Sequence, residues 1–217
     1  TINDGAVTAT GGNYGAGIGG GYNGNGGTVT INGGTVTATG SSNYGAGIGS
    51  GGSGGGSGYT GGTVNIAGGI VTATGGDYAA GIGGGSGSYS SLSGGASATV
   101  AISGGTVFAQ GGKEGHDIGP GRRGQDTGSN TFTGGTIRLG NASITPAPRN
   151  DTKPVSCATV SGFVPDEAVE ITGLPQYYGV HDIFADADGA IHLWLPNGKY
   201  TFTADGQSYT IRVVDTS

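Results

Sequence analysis

The chain has 217 residues, of which 54 are Gly, one is Cys and none is Met; 10% are charged and the formal net charge is −6. This composition excludes a disulfide or a Cys-based metal site within the chain and a basic face for nucleic acid. No apolar run approaches the roughly 20 residues of a membrane-spanning helix. The glycines keep fixed offsets from Val, Ile and Ala, charge is low and no Gly-X-Y period exists, which argues against both a disordered linker and collagen.

The chain opens inside a repeat, at TINDGAVTATGG, and reads as an excised piece of a longer multidomain protein. The phrase GGNYGAGIGGG (11–21) returns as SSNYGAGIGSG (41–51) and GGDYAAGIGGG (75–85). Aligned on it, a first apolar column runs Ile2, Ile31, Ile66 and Ile102, with Leu139 as a late member. A second runs Val7/Ala9, Val36/Ala38, Val71/Ala73 and Val107/Ala109, and a third Ala16/Ile18, Ala46/Ile48 and Ala80/Ile82. The period of 29 to 36 residues varies almost entirely in Gly/Ser loops. Each unit thus holds three short segments that alternate at period two, the signature of a strand with one face in and one out. A single unit cannot bury its inward side chains alone, so stacking must supply the core. The predicted architecture is all-β: a right-handed parallel β-helix of four to five coils over residues 1–145. Val, Ile and Ala point inward, Thr outward, and Gly pairs sit at the corners, where positive φ is needed.

Three features of this region carry candidate chemistry. Tyr14, Tyr44 and Tyr78 share one repeat position, preceded by Asn13, Asn43 and Asp77. Aromatic faces next to amides and a carboxylate suit sugar rings and their hydroxyls, although a stacked ladder that only stabilises the coils uses the same residues. A second set, Tyr22, Tyr59 and Tyr89, lies in the following loops. A Thr-x-Thr array (Thr8/Thr10, Thr37/Thr39, Thr72/Thr74) occupies the outward face until Phe108 and Gln110 break it. Strand propensity explains those threonines as well as an ordered-water or ice surface does.

The fourth coil departs from the pattern. GGKEGHDIGPGRRGQD (111–126) puts Glu114 where Tyr stood and His116 where Ala pointed inward. Glu114, His116, Asp117 and Arg122 are candidate catalytic residues: carboxylates beside His suit acid–base work, and Arg122 with Arg123 suits an acidic sugar. An atypical terminal coil is the competing explanation.

Near residue 145 the texture changes. Residues 146–154 read as a Pro-containing linker, and residues 155–217 as a small antiparallel, sandwich-like β-domain with Trp194, Tyr200, Phe202 and Val213 in its core. Asp186 and Asp188 in FADADGAIH resemble the start of a Ca²⁺ loop, but the further acidic ligands and late Glu of such a loop are missing and a plain Asp-Gly hairpin explains them better. His181 and His192 lack a third ligand for zinc. Cys157 lies in the alternating VSCATVSG and is expected to be buried and inert.

The GGTVTATGG…YGAGIGGG repeat resembles the Gly-rich repeats of large secreted surface proteins of Gram-positive bacteria, many of them gut Firmicutes. The tail AIHLWLPNGKYTFTADGQSYTIRV is similar to the small β-modules that follow such repeats. The fold is similar to pectate-lyase-like β-helix carbohydrate-binding proteins. The resemblance implies an extracellular or cell-surface location and contact with a polysaccharide or host glycan. It transfers no catalytic residue. The expected function is a non-catalytic extracellular module, an adhesin or spacer with carbohydrate binding; no cofactor is expected, and Asp186 and Asp188 are the sole candidates for Ca²⁺. The alternative is a β-helix polysaccharide lyase or glycosidase using residues 111–126.

Overall fold

Three alternating segments per repeat, each ended by Gly that lets the chain turn, become three strands per coil. The computed structural model describes residues 1–54, 59–88 and 93–214. The first coil holds β1 (Ala6–Thr10), β2 (Ile18–Gly19) and β3 (Thr28–Ile31); the second holds β4 (Thr35–Thr39), β5 (Ile48–Gly49) and β6 (Thr63–Ile66). The third holds β7 (Ile70–Thr74), β8 (Ile82–Gly83) and β9 (Thr99–Ile102). The fourth holds β10 (Thr106–Gln110), β11 (Ile118–Gly119) and β12 (Ser129–Phe132), and β13 (Thr136–Leu139) opens a fifth. After it come β14 (Arg149–Asn150), β15 (Lys153–Ser161), β16 (Ile171–Thr172), β17 (Ala190–Pro196), β18 (Gly198–Ala204) and β19 (Gln207–Val213).

Like strands stack in parallel without slippage, as a parallel β-helix requires. The sheet orders are β1-β4-β7-β10-β13, β2-β5-β8-β11 and β3-β6-β9-β12. Val7, Val36, Val71, Val107 and Ile137 form one inward column, and Ile18, Ile48, Ile82 and Ile118 another. These side chains make one continuous core, fully buried from the second coil onward and half-exposed at Ile2, Val7 and Ile18 in the first. The first column differs from expectation at its end. Phe132 pairs with Ile102 and takes the fifth place, while Leu139 stacks on Ala109 in the second column. An aromatic ring closes the bore there because it meets Trp194, whose ring is 5.6 Å away and edge-on.

The glycines around each inward Ile are set by the closeness of the next coil. A Cβ on Gly81 would lie 2.7 Å from the Asp117 carbonyl oxygen and 2.7 Å from the Gln110 nitrogen. Gly83 has φ +138° and is packed on the Gly119 carbonyl. Both positions exclude side chains, which explains why GIG persists while the neighbouring loops drift.

The chain then leaves the solenoid without leaving its sheet. Residues 146–154 carry β14, which pairs in parallel with β12 at Thr131 and Arg149, and then turns antiparallel into β15 and β17. The second layer is the antiparallel sheet β16-β18-β19. Its core joins Ile171, Phe202 and Val213 to Val160, Ile191, Leu193 and Leu195. Phe202 and Val213 are thus core residues as expected, and Tyr200 packs at the margin. Trp194 is a correction: strand alternation turns it to the other face of β17, where it belongs to the β-helix core and donates from Nε1 to the Ile137 carbonyl at 2.9 Å.

Residues 178–184 run along the Gly–Gly corners of the later coils. The N–H groups of Gly69, Gly105 and Gly135 donate to Asp182 Oδ2, the His181 carbonyl and the Gly179 carbonyl at 3.0, 2.8 and 2.9 Å. This strap positions the C-terminal half against the outward face of β7, β10 and β13.

Substituting Gly81→Ala is expected to destabilise the fold by roughly 1–3 kcal/mol through overpacking against backbone. Gly12→Ala, whose Cβ meets nothing within 4 Å, should leave stability nearly unchanged. Urea unfolding of the two variants checks this, and equal midpoints would contradict the stacking account.

Candidate functional site

The expected tyrosine row forms. Tyr14 stacks on Tyr44 with centroids 4.8 Å apart and planes 7° apart, and Tyr44 on Tyr78 at 5.6 Å and 30°. Tyr22 sits edge-on to Tyr14 at 5.2 Å. In the fourth coil Glu114 replaces the tyrosine, and the Arg122 guanidinium takes the vacated place, 4.0 Å from the Tyr78 ring centre. Arg122 also pairs with Glu114 at 3.7 Å. The faces of Tyr44 and Tyr78 are therefore occupied by neighbours, and the ring edges and hydroxyls are what the row offers. No hydrogen bond ties these three hydroxyls to other described residues. Asn13 and Asn43 are exposed beside them, and Asp77 pairs with the exposed Lys113 at 3.7 Å. Tyr59 is half-buried, and Tyr89 lies outside the described residues.

Of the four catalytic candidates, Glu114 and Arg122 pair with each other, and Asp117 and His116 have other partners. Asp117 has no exposed surface. Its carboxylate accepts the N–H groups of Gly111, Asn141 and Ser143 at 2.8, 2.7 and 3.0 Å. The preceding coils explain this arrangement. There the N–H groups of Gly11, Gly40 and Gly75 donate to the carbonyls of Thr39, Thr74 and Gln110, each on the next coil. Gly111 donates instead to Asp117 Oδ1, and Asp117 occupies the repeat position of Gly17, Gly47 and Gly81. The carboxylate thus takes the place of a next-coil carbonyl and ties the fourth coil to the incomplete fifth. His116, expected at an inward position, is only half-buried, and its Nδ1 shares a hydrogen bond with the Pro120 carbonyl at 3.1 Å. Glu114 and Arg122 complete the tyrosine row. These side chains leave no pair of free carboxylates facing each other across a groove.

A different cluster assembles where the C-terminal half meets β13. Arg138 binds Asp186 and Asp188 through its two terminal nitrogens at 3.0 and 2.9 Å. Asp186 Oδ2 also lies 2.9 Å from His192 Nε2, and Oδ1 accepts the N–H groups of Asp188 and Ala190. Burial alone would raise the Asp186 carboxyl, but these hydrogen bonds and the Arg138 charge outweigh it and hold it below the usual carboxylate range. The two aspartates proposed for Ca²⁺ are thus the anchors of an arginine, and no group of three or more metal-ligating side chains occurs among the described residues. Sequence reading missed Arg138, Phe184 and Asp166. The available signal was Phe108, which breaks the Thr column: the register is Thr8, Thr37, Thr72, Phe108, Arg138.

Cys157 corrects another expectation, because it is exposed. β14 pairs only with the first residues of β15, so beyond Pro154 that edge of β15 has no partner strand among the described residues. Desolvation by its neighbours still pushes the thiol up to about 11, so it stays protonated near neutral pH and is a poor nucleophile.

Removing the Asp117 acceptor as Asp117→Ala orphans up to three backbone donors at about 1–3 kcal/mol each when buried. The urea midpoint should fall accordingly, and a midpoint equal to wild type would remove the coil-ending role. For Asp186 the folded-state value lies below the unfolded one of about 3.9, so its link stabilises above that pH and is lost as pH falls through the lower folded value. Stability should therefore drop on acidification below about pH 4, and Asp186→Asn should show a smaller drop across the same range.

With the geometry in hand, comparison with known proteins adds one finding. Residues 1–22, 29–57, 64–86 and 100–121 match the family model described as Beta helix repeat. No curated protein and no solved structure matches the chain. What the chain is shown to share with known proteins is therefore similarity to the beta helix repeat, carried by the coils that stack its inward Val and Ile columns.

Proposed function

We propose that the chain is a non-catalytic module of an extracellular or cell-surface protein, an adhesin or spacer that contacts a polysaccharide or host glycan. The observation that carries this reading is the row of Asn13–Tyr14, Asn43–Tyr44 and Asp77–Tyr78. Stacking holds the three rings 4.8 and 5.6 Å apart, so their hydroxyls present the same polar group once per coil, beside the amides of Asn13 and Asn43 and the carboxylate of Asp77. A glycan chain has hydroxyls along its length that both donate and accept, and an array locked by its own stacking loses little side-chain freedom on binding. The low charge and Thr/Asn-rich outer surface suit a solvent-facing spacer. The lyase or glycosidase alternative needs two carboxylates across a groove, about 5–10 Å apart; Glu114 and Asp117 are instead committed to Arg122 and to backbone N–H groups. No helix is long and apolar enough to cross a membrane among the described residues.

A glycan microarray probed with the intact protein and with an Asn13→Ala/Asn43→Ala variant tests this. Both side chains are exposed, so the fold should persist. Loss of hydrogen bonds at two coils is expected to weaken binding about tenfold or more, the effect of roughly 1.4 kcal/mol. Tyr44→Phe, which keeps the stack and removes one hydroxyl, should weaken it less. Silence of the intact protein on every glycan would reduce the module to a spacer, and unchanged binding by both variants would move the contact elsewhere.

A further inference from the structure

The outward face of β7, β10 and β13 and the segment that follows the strap enclose a cleft of about 350 Å³. We propose that this cleft is a second carbohydrate subsite, built for a single uncharged sugar ring at the end of a glycan. The proposal rests on the carbohydrate-contact reading above and assigns it a separate place on the molecule.

Two aromatic rings carry the argument. Phe108 lies on one wall and Phe184 on the other, both half-buried. Neither belongs to either of the two hydrophobic cores. Phe108 also occupies a column that holds Thr in the three preceding coils. This outward column holds an aromatic only where a second wall faces it, a departure from its own pattern at one spot, and such local departures mark functional or strained sites. Apolar ring faces match the C–H face of a pyranose.

The polar groups set the class of sugar. Thr72 and Asp166 line the cleft, and neither side chain has a hydrogen-bond partner among the described residues. Together they offer a hydroxyl that donates or accepts and a carboxylate that accepts, the mixture that sugar hydroxyls require. Arg138 lies in the same cleft, but its two terminal nitrogens are already paired with Asp186 and Asp188. Asp166, Asp186 and Asp188 then outnumber the one arginine, so a uronate or another acidic sugar is repelled. An organic cation is less well served, because Arg138 already stands 5.7 Å from the Phe108 ring centre.

The walls are preformed. The Phe184 N–H donates to Thr106 Oγ1 at 2.8 Å, that hydroxyl donates to the Asp182 carbonyl at 3.0 Å, and the His192 N–H donates to Thr136 Oγ1 at 2.6 Å. Each bond ties the C-terminal wall to the β-helix wall. A volume near the lower end of the usual range of about 300–1,000 Å³ fits one ring rather than an extended chain.

The test is a heteronuclear NMR titration of the intact protein with neutral monosaccharides (glucose, galactose, mannose, N-acetylglucosamine), with glucuronate and with choline. A neutral sugar is expected to bind in the millimolar range, with shifts centred on Phe108, Phe184 and Thr72. Phe108→Thr restores the residue of the earlier coils and should fold, as thermal melting and Trp194 fluorescence would verify. It and Phe184→Ala should each weaken binding about tenfold or more, whereas Asn13→Ala/Asn43→Ala should not. Sugar binding unaffected by either Phe variant, or preference for glucuronate or choline, would overturn the cleft assignment and leave the carbohydrate reading standing. Binding of no saccharide here and none on the glycan array would overturn both.

Discussion

Every coil of this protein must hand its backbone N–H and C=O groups to the coil on either side. Residues in three separate sheets pair with the same partners coil after coil, without slippage. In a solenoid the neighbouring coils are the main source of hydrogen bonds for buried peptide groups. The constraint fixes which positions are Gly, because the carbonyl of the next coil lies where a Cβ would be. It also fixes the bore, which admits Val, Ile and Ala and leaves Thr outside.

The same constraint makes the end of the stack a chemical problem, and most of the unusual residues of the chain address it. Asp117 takes a Gly position and accepts the Gly111 N–H, whose counterparts go to the next coil, together with those of Asn141 and Ser143 beyond β13. Phe132 and Trp194 close the bore edge to face. The sheet that ends in β12 continues through β14 into β15 and β17, so its edge is covered by strands of the C-terminal half. The strap at residues 178–184 then satisfies corner N–H groups along the side. Charge in a nearly uncharged repeat here marks the termination of a fold. Acid–base chemistry needs carboxylates that are free to exchange protons with a ligand, and Asp117 is not.

Termination also shapes the surface. The tyrosine row persists for three coils and ends where Glu114 and Arg122 replace a ring, so its length is set by the number of regular coils. The threonine face ends where Phe108 and Arg138 meet the C-terminal half, and a cleft replaces a flat grid. A regular stack presents repeated, identical groups; its capped end presents dissimilar groups brought from distant parts of the chain. On the proposed glycan-contact reading, the two kinds of surface would serve different parts of the ligand, an extended run and a terminal ring.

Much of the architecture was legible in the residues. Period-two alternation of Val, Ile, Ala and Thr, restarted after each Gly pair, determined the strands, the columns and their register through Val107 and Ile118, because only that register keeps apolar side chains inside. It failed where the repeat faded: Leu139 looks like the next Ile, but Phe132 holds that place, since the choice depends on Trp194 arriving from 62 residues further along the chain. The row of Tyr14, Tyr44 and Tyr78 and its self-stacking were visible, and the Arg122 guanidinium that continues the stack was not. Nor was the exposure of Cys157, the outward turn of His116 or the grip of Arg138 on Asp186 and Asp188. By itself the sequence determined what repeats, since a side-chain period records the geometry of a strand. Only the tertiary structure decided what happens where the repeat stops, because there each contact joins residues with no shared period, and spacing along the chain carries no information about them.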